Sequence, residues 1–193
     1  MEFQHDESWE AMASILESKI AIRDAWNKFI DFHEKQAAKP YWLQLRRMDI
    51  EAEQSDIVEW LRHLLTNYPL PESVIALWIG IFRTAEGAIP TIYLSGAEDY
   101  SAGDSEWACD PLYAPNGSYA QPKVLRDMDA IFRTDQENYV FFDWIFPLAY
   151  CAFTFDDVFR TKIDKKFLLK SKSEMFVTVG HDSGDYIELS AVK

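Results

Sequence analysis

Two short β-type runs set around a turn dominate the middle of this 193-residue chain. The first is Val74-Ile-Ala-Leu-Trp-Ile-Gly-Ile-Phe82; the chain turns at Thr84-Ala-Glu-Gly-Ala88 and returns as Ile89-Pro-Thr-Ile-Tyr-Leu94. Runs of this composition around a glycine-bearing turn read as a hairpin. Residues 95–119 then form one long loop, against about four to six residues for an ordinary connection. Loops of that length are functional or disordered, and three tyrosines, a tryptophan and several carboxylates argue against plain disorder.

The segments on either side are built differently. Trp9, Met12, Leu16 and Ile20 share one helical face, and Ile22, Trp26, Phe29 and Ile30 continue it with a small phase shift. Pro40 ends that helix. A second helix is expected to start near Ser55 or Asp56, both good caps, with Ile57, Trp60, Leu61, Leu64 and Leu65 as its apolar stripe. Pro122 opens another, and Tyr139 to Phe159 reads as a long buried helix kinked or restarted at Pro147. A second hairpin closes the chain, with Val177 and Val179 alternating against Phe176 and Thr178, and Ile187 and Leu189 against Tyr186 and Glu188. The expected fold is α+β, one domain over 1–193. An antiparallel sheet from two contiguous hairpins, about 74–95 and 175–192, packs on several helices behind a helical region covering 1–70.

Charge narrows the function. The net charge is −13, and it is unevenly placed. Residues 1–18 hold Glu2, Asp6, Glu7, Glu10 and Glu17, and residues 84–122 hold Glu86, Glu98, Asp99, Asp104, Glu106 and Asp110; neither block contains a Lys or Arg. Such a field repels nucleic acid and anionic lipid and attracts a basic protein. It also serves plain solubility. The start, Met1-Glu-Phe-Gln-His-Asp-Glu7, is acidic where an export signal is basic, and the most apolar run, Val140 to Phe155, is broken by Asp143 and Pro147. A cytoplasmic location is expected, with Cys109 and Cys151 as free thiols.

Motifs that suggest chemistry lack their partners. Gly103-Asp104-Ser105 has the form of an esterase nucleophile segment, yet none of His5, His33, His63 and His181 has the Asp three residues earlier that would activate the serine. Asp182-Ser183-Gly184 has the form of an aspartic-protease tripeptide without a second copy, and reads better as a turn. No histidine pair, calcium loop or phosphate-binding glycine loop is present, so no cofactor or metal is expected.

Two stretches together resemble a known pattern. Trp107-Ala-Cys109-Asp-Pro111-Leu-Tyr113-Ala-Pro115-Asn-Gly-Ser-Tyr119 fits W-x-C-[ND]-P-x-Y-x-P-x-x-x-Y, and Gly180-His-Asp182-Ser-Gly184-Asp185-Tyr186 fits G-[FY]-D-[DS]-G-D-[FY] except at His181. Both resemble motifs of the bacterial polymorphic-toxin immunity proteins, over residues 74 to 192. The resemblance implies a cytoplasmic, non-catalytic protein that neutralises a cognate toxin. An acidic inhibitor would suit a basic toxin such as a nuclease. Glu98, Asp99, Asp104, Glu106 and Asp110 are then the residues expected to steer the partner, with Tyr100 and Trp107 as anchors; Tyr113 and Tyr119 could also anchor it, and Trp107 and Tyr113 could equally tuck inward and pin the loop. The alternatives are an interaction or scaffold domain with no toxin partner, and a hydrolase-like enzyme whose site is built from scattered carboxylates. A pocket gathering two carboxylates with a tyrosine or histidine would favour that last reading.

Overall fold

The computed structural model describes residues 3–85, 87–182 and 184–193. Glu86 of the first turn, Ser183 of the second motif, and Met1 and Glu2 of the N-terminal acidic block lie outside the described residues.

Four helices precede the sheet: α1 (His5–Glu17), α2 (Ile22–Gln36), α3 (Trp42–Arg46) and α4 (Ile50–Asn67). The single N-terminal helix expected from the apolar stripe is therefore two. The chain leaves the first after Ser18, and Lys19 takes a left-handed φ of 50°. No Gly or Pro marks that break, so the phase shift in the stripe was its only trace. The next long helix starts earlier than Ser55. Asp49 is its cap, accepting from the Ala52 N–H at 3.3 Å, while the Ser55 hydroxyl bonds back to the Glu51 carbonyl inside the helix at 3.0 Å.

Strands β1 (Ala76–Phe82) and β2 (Thr91–Ala97) form the first hairpin, and β4 (Phe176–His181) and β5 (Tyr186–Glu188) the second. A two-residue strand, β3 (Tyr119–Ala120), ends the long loop, and the sheet order is β3-β2-β1-β4-β5. The two hairpins are contiguous, as expected. The sheet is mixed, however, because β1 and β4 run parallel, with Ala76 opposite Phe176 and Gly80 opposite Gly180. A parallel neighbour requires a crossover. Here it is made by α5 (Lys123–Phe132), α6 (Tyr139–Thr161) and the short α7 (Lys166–Leu169).

The core lies on one side of the sheet. Leu77, Ile79, Ile81, Ile92, Leu94, Val177, Val179 and Ile187 project into it by alternation along their strands. Helix α6 is its spine: it is buried on nearly every side from Phe141 to Phe159, and it continues through Pro147 as one helix. Phe142 and Phe146 touch the rings of Trp42 and Phe132, which ties α3 and α5 to it. Behind the sheet end, Arg83 reaches Asp129 of α5 at 2.9 Å and also binds Asp143 of α6. Burial pushes the Asp129 carboxyl up, but Arg133, Tyr139 and Arg83 outweigh it and hold the group below the usual carboxylate range.

Candidate functional site

The opposite face of the sheet is aromatic, and two glycines shape it. Gly80 and Gly180 stand side by side on β1 and β4. A Cβ on Gly80 would lie 2.0 Å from Cε1 of Tyr93, so the outer end of the Tyr93 ring occupies the space that Gly80 leaves on β1. In the same way the edge of the Trp78 ring covers Gly180, where a Cβ would meet Cη2 at 2.5 Å. Phe82, Tyr93 and Tyr119 touch pairwise, with centroids 5.7, 5.7 and 5.9 Å apart. They form the floor of a cleft of about 520 Å³.

The long loop makes the cleft wall, contributing Ser105, Cys109 and Pro111 among others. It is fastened at several points. Gly96 and Tyr113 exchange both backbone hydrogen bonds, at 2.8 and 2.9 Å. The buried Tyr113 hydroxyl donates to the Tyr68 carbonyl at 2.6 Å, the Trp60 indole donates to the Gly117 carbonyl at 3.0 Å, and the Gly103 N–H donates to Glu188 at 2.8 Å. Tyr100 stacks on Phe176 at 4.0 Å and 4°. Trp107 meets Trp78 edge-on at 6.0 Å. Both rings expected as partner anchors are thus half-buried pins that hold the loop to the sheet. Burial, and then Glu188, push the Tyr100 phenol up to about 12.

The five carboxylates behave differently. Glu98, Asp99, Asp104, Glu106 and Asp110 are all exposed, and none is in an ion pair among the described residues. The one contact any of them makes is local, Asp104 accepting from the Glu106 N–H at 2.9 Å.

Asp182 and Gly184 of the second motif also line the cleft. Asp182 accepts from the Tyr93 hydroxyl at 2.8 Å, and Asp185 accepts from the Trp144 indole at 2.9 Å. The second motif is a turn, as its residues suggested: Gly184 has φ 130° and its N–H reaches the His181 carbonyl at 3.1 Å. His181 and Ser105 both line the cleft. His181 Nε2 bonds the Trp144 carbonyl at 2.8 Å, and since a carbonyl only accepts, that nitrogen carries the proton. No hydrogen bond joins His181 to Ser105 among the described residues. A second hollow, of about 430 Å³, shares Phe82, His181 and Asp182 with the first and adds Arg83, Asp143 and Trp144. Tyr93 was missed as a site residue because a strand tyrosine reads as ordinary β composition, whereas Tyr119 already stood among the loop aromatics open to an anchoring role. Only the glycine directly opposite Tyr93, Gly80, hints that its ring covers the neighbouring strand.

No group of three or more His, Cys, Asp or Glu among the described residues is placed to hold a metal. No helix among them is long and apolar enough to cross a membrane. Comparison with family models, curated proteins and solved structures finds no match.

Proposed function

We propose that this chain is a non-catalytic binding protein that captures a basic protein in the cytoplasm, in the manner of the immunity proteins its two motifs resemble. The observation that carries the reading is the loop of five exposed, unpaired carboxylates fastened to the sheet by its own neutral residues. Unpaired charge held in place projects a field at no ordering cost on binding, which favours fast capture of a positively charged partner. A toxin whose own site attracts phosphate has the required charge.

The enzyme reading has one supporting feature: the second hollow gathers Asp143 and Asp182 with His181. Each is already engaged. Asp143 binds Arg83, Asp182 holds Tyr93, and His181 is bonded to a backbone carbonyl. Burial and the Asp182 bond also push the Tyr93 phenol far up, so it stays protonated and offers no nucleophile. Binding is the better account.

The test is kinetic. The chain is co-expressed with the product of the neighbouring gene and scored for rescue and co-purification, and association with any protein so captured is measured by stopped flow at low salt. Replacing Asp104→Lys and Glu106→Lys together should slow association at least tenfold and change dissociation much less. An unchanged association rate at low salt refutes the acidic-capture reading.

A further inference from the structure

We propose that the cleft over β1, β2 and β3 is an arginine-recognition site, taking one guanidinium side chain of the basic partner onto the Tyr93–Tyr119 platform with Asp182 as its counter-ion. This rests on the reading of a basic partner above and adds which residue type of that partner is read, and where.

Three features converge. The first is the aromatic platform: Phe82, Tyr93 and Tyr119 meet edge-on or tilted, Phe82 and Tyr93 are half-buried, and Tyr119 is 63 % exposed, so its ring is the one open to a ligand. Ring faces turned to solvent attract cations through their quadrupole. The second is the carboxylate. Asp182 is exposed at the cleft edge and has one oxygen engaged by Tyr93; it has no ion pair among the described residues. The third is charge. The described lining contains no Lys or Arg, and the loop that forms its wall carries Asp104, Glu106 and Asp110 unpaired.

The same geometry selects arginine over lysine. A guanidinium is planar and weakly hydrated, so it can lie flat on an aromatic ring while its N–H groups point in plane to a carboxylate. A lysine ammonium is a strongly hydrated point charge and gains less from a flat platform. The long loop gives charge attraction to both; the platform discriminates between them.

Capped octa-arginine and octa-lysine peptides of equal charge test this on the intact protein, by calorimetry at physiological salt. Octa-arginine should bind about tenfold more tightly. Tyr119→Ala, at an exposed position, should remove most of that preference while leaving octa-lysine within twofold. Asp182→Asn keeps an acceptor for Tyr93 and removes the charge; it should weaken octa-arginine about fivefold. Cys109 lines the cleft and is exposed, so saturating octa-arginine should slow its alkylation by iodoacetamide. Equal affinities for the two peptides, equal losses for both in Tyr119→Ala, or alkylation unaffected by octa-arginine overturn the proposal. The two readings fail separately. If Asp104→Lys with Glu106→Lys weakens both peptides and the arginine preference is absent, the cleft proposal falls and the acidic surface stands. If the preference persists while toxin association ignores those substitutions, acidic capture falls and the cleft stands.

Discussion

Lowering the pH from 7 to 5 tests the aromatic core through one residue, His33. It is fully buried in α2, and its ring lies against Phe3, Phe29, Phe32, Trp42, Phe141, Phe142 and Phe146. Nδ1 bonds the Phe29 carbonyl at 2.9 Å and so carries the proton; Nε2 lies 3.1 Å from the Ser8 hydroxyl and accepts from it. Adding a second proton would place a charge among rings, and that burial lowers the pKa from 6.5 to about 4, against a smaller opposing effect of the Phe29 carbonyl. The unfolded chain therefore takes up a proton at higher pH than the folded one. Stability is full above the unfolded value and is lost as pH falls from there towards the folded value. The shift is equivalent to about 3 kcal/mol once complete, of which about 2 kcal/mol is lost between pH 7 and pH 5. Glu51, Asp129 and Asp135 have lowered values, so their contributions are lost only below the usual carboxylate range. Burial raises Asp156, which gains stability as the pH falls. Urea unfolding at the two pH values, for the native chain and for His33→Gln, isolates the term. The native chain should lose about 2 kcal/mol more than the variant. Parallel losses in the two proteins refute the argument.

The glycine pair should respond unequally to alanine. Gly180→Ala drives a Cβ to 2.6 Å from the Tyr186 Cβ, which cannot swing away, and should cost about 1–3 kcal/mol in urea unfolding. The nearest atoms to a Cβ at Gly80→Ala are at the far end of Tyr93, which can lift into the cleft, so its stability cost should be the smaller of the two. Tyr113→Phe removes the bond to the Tyr68 carbonyl and should cost about 1 kcal/mol, with faster hydrogen exchange at Gly96 and Tyr113 as its local signature. Ellman's reagent should titrate one thiol in the native protein and two in urea, because Cys109 is exposed while Cys151 is buried in α6 with its thiol pushed far up by burial.

What could be read in advance followed from periodicity. The alternation of Val177 and Val179 with Phe176 and Thr178 placed the inner face of β4 correctly, whereas the unbroken apolar run of β1 left its faces unassigned, and the apolar character of Tyr139 to Phe159 marked a buried helix. Three things were not legible, each for a physical reason. The α1–α2 break has no breaker residue. The direction of β4 relative to β1 is set by how α5 to α7 cross the sheet, which leaves no local mark on either strand. The pinning role of Tyr100 depends on Phe176 lying beneath it, a tertiary fact, whereas an inward Trp107 was among the readings its sequence allowed. The carboxylates, by contrast, were placed correctly as exposed because nothing nearby in sequence could neutralise them.

The two motifs lie far apart in sequence, yet they meet at the outer sheet face, and the division of labour there is informative. Every residue that holds the loop is neutral or is the carboxylate Glu188 on β5: Tyr113 to Tyr68, Trp60 to Gly117, Gly103 to Glu188, Tyr100 on Phe176. Among the five exposed carboxylates only Asp104 shares that work, and only locally, through the Glu106 N–H. The shape of the loop is therefore set independently of its charge, and substitutions at Glu98, Asp99, Asp104, Glu106 and Asp110 should move stability by no more than about 0.5 kcal/mol. A surface built this way can change the partner it attracts without renegotiating its fold. The cleft is the exception: its platform rings, Tyr93 and Tyr119, also pair β2 to the β3 edge, so recognition there is coupled to the sheet itself. Changes in the wall charges should tune how fast a basic partner arrives, and changes on the floor should decide which of its side chains is held.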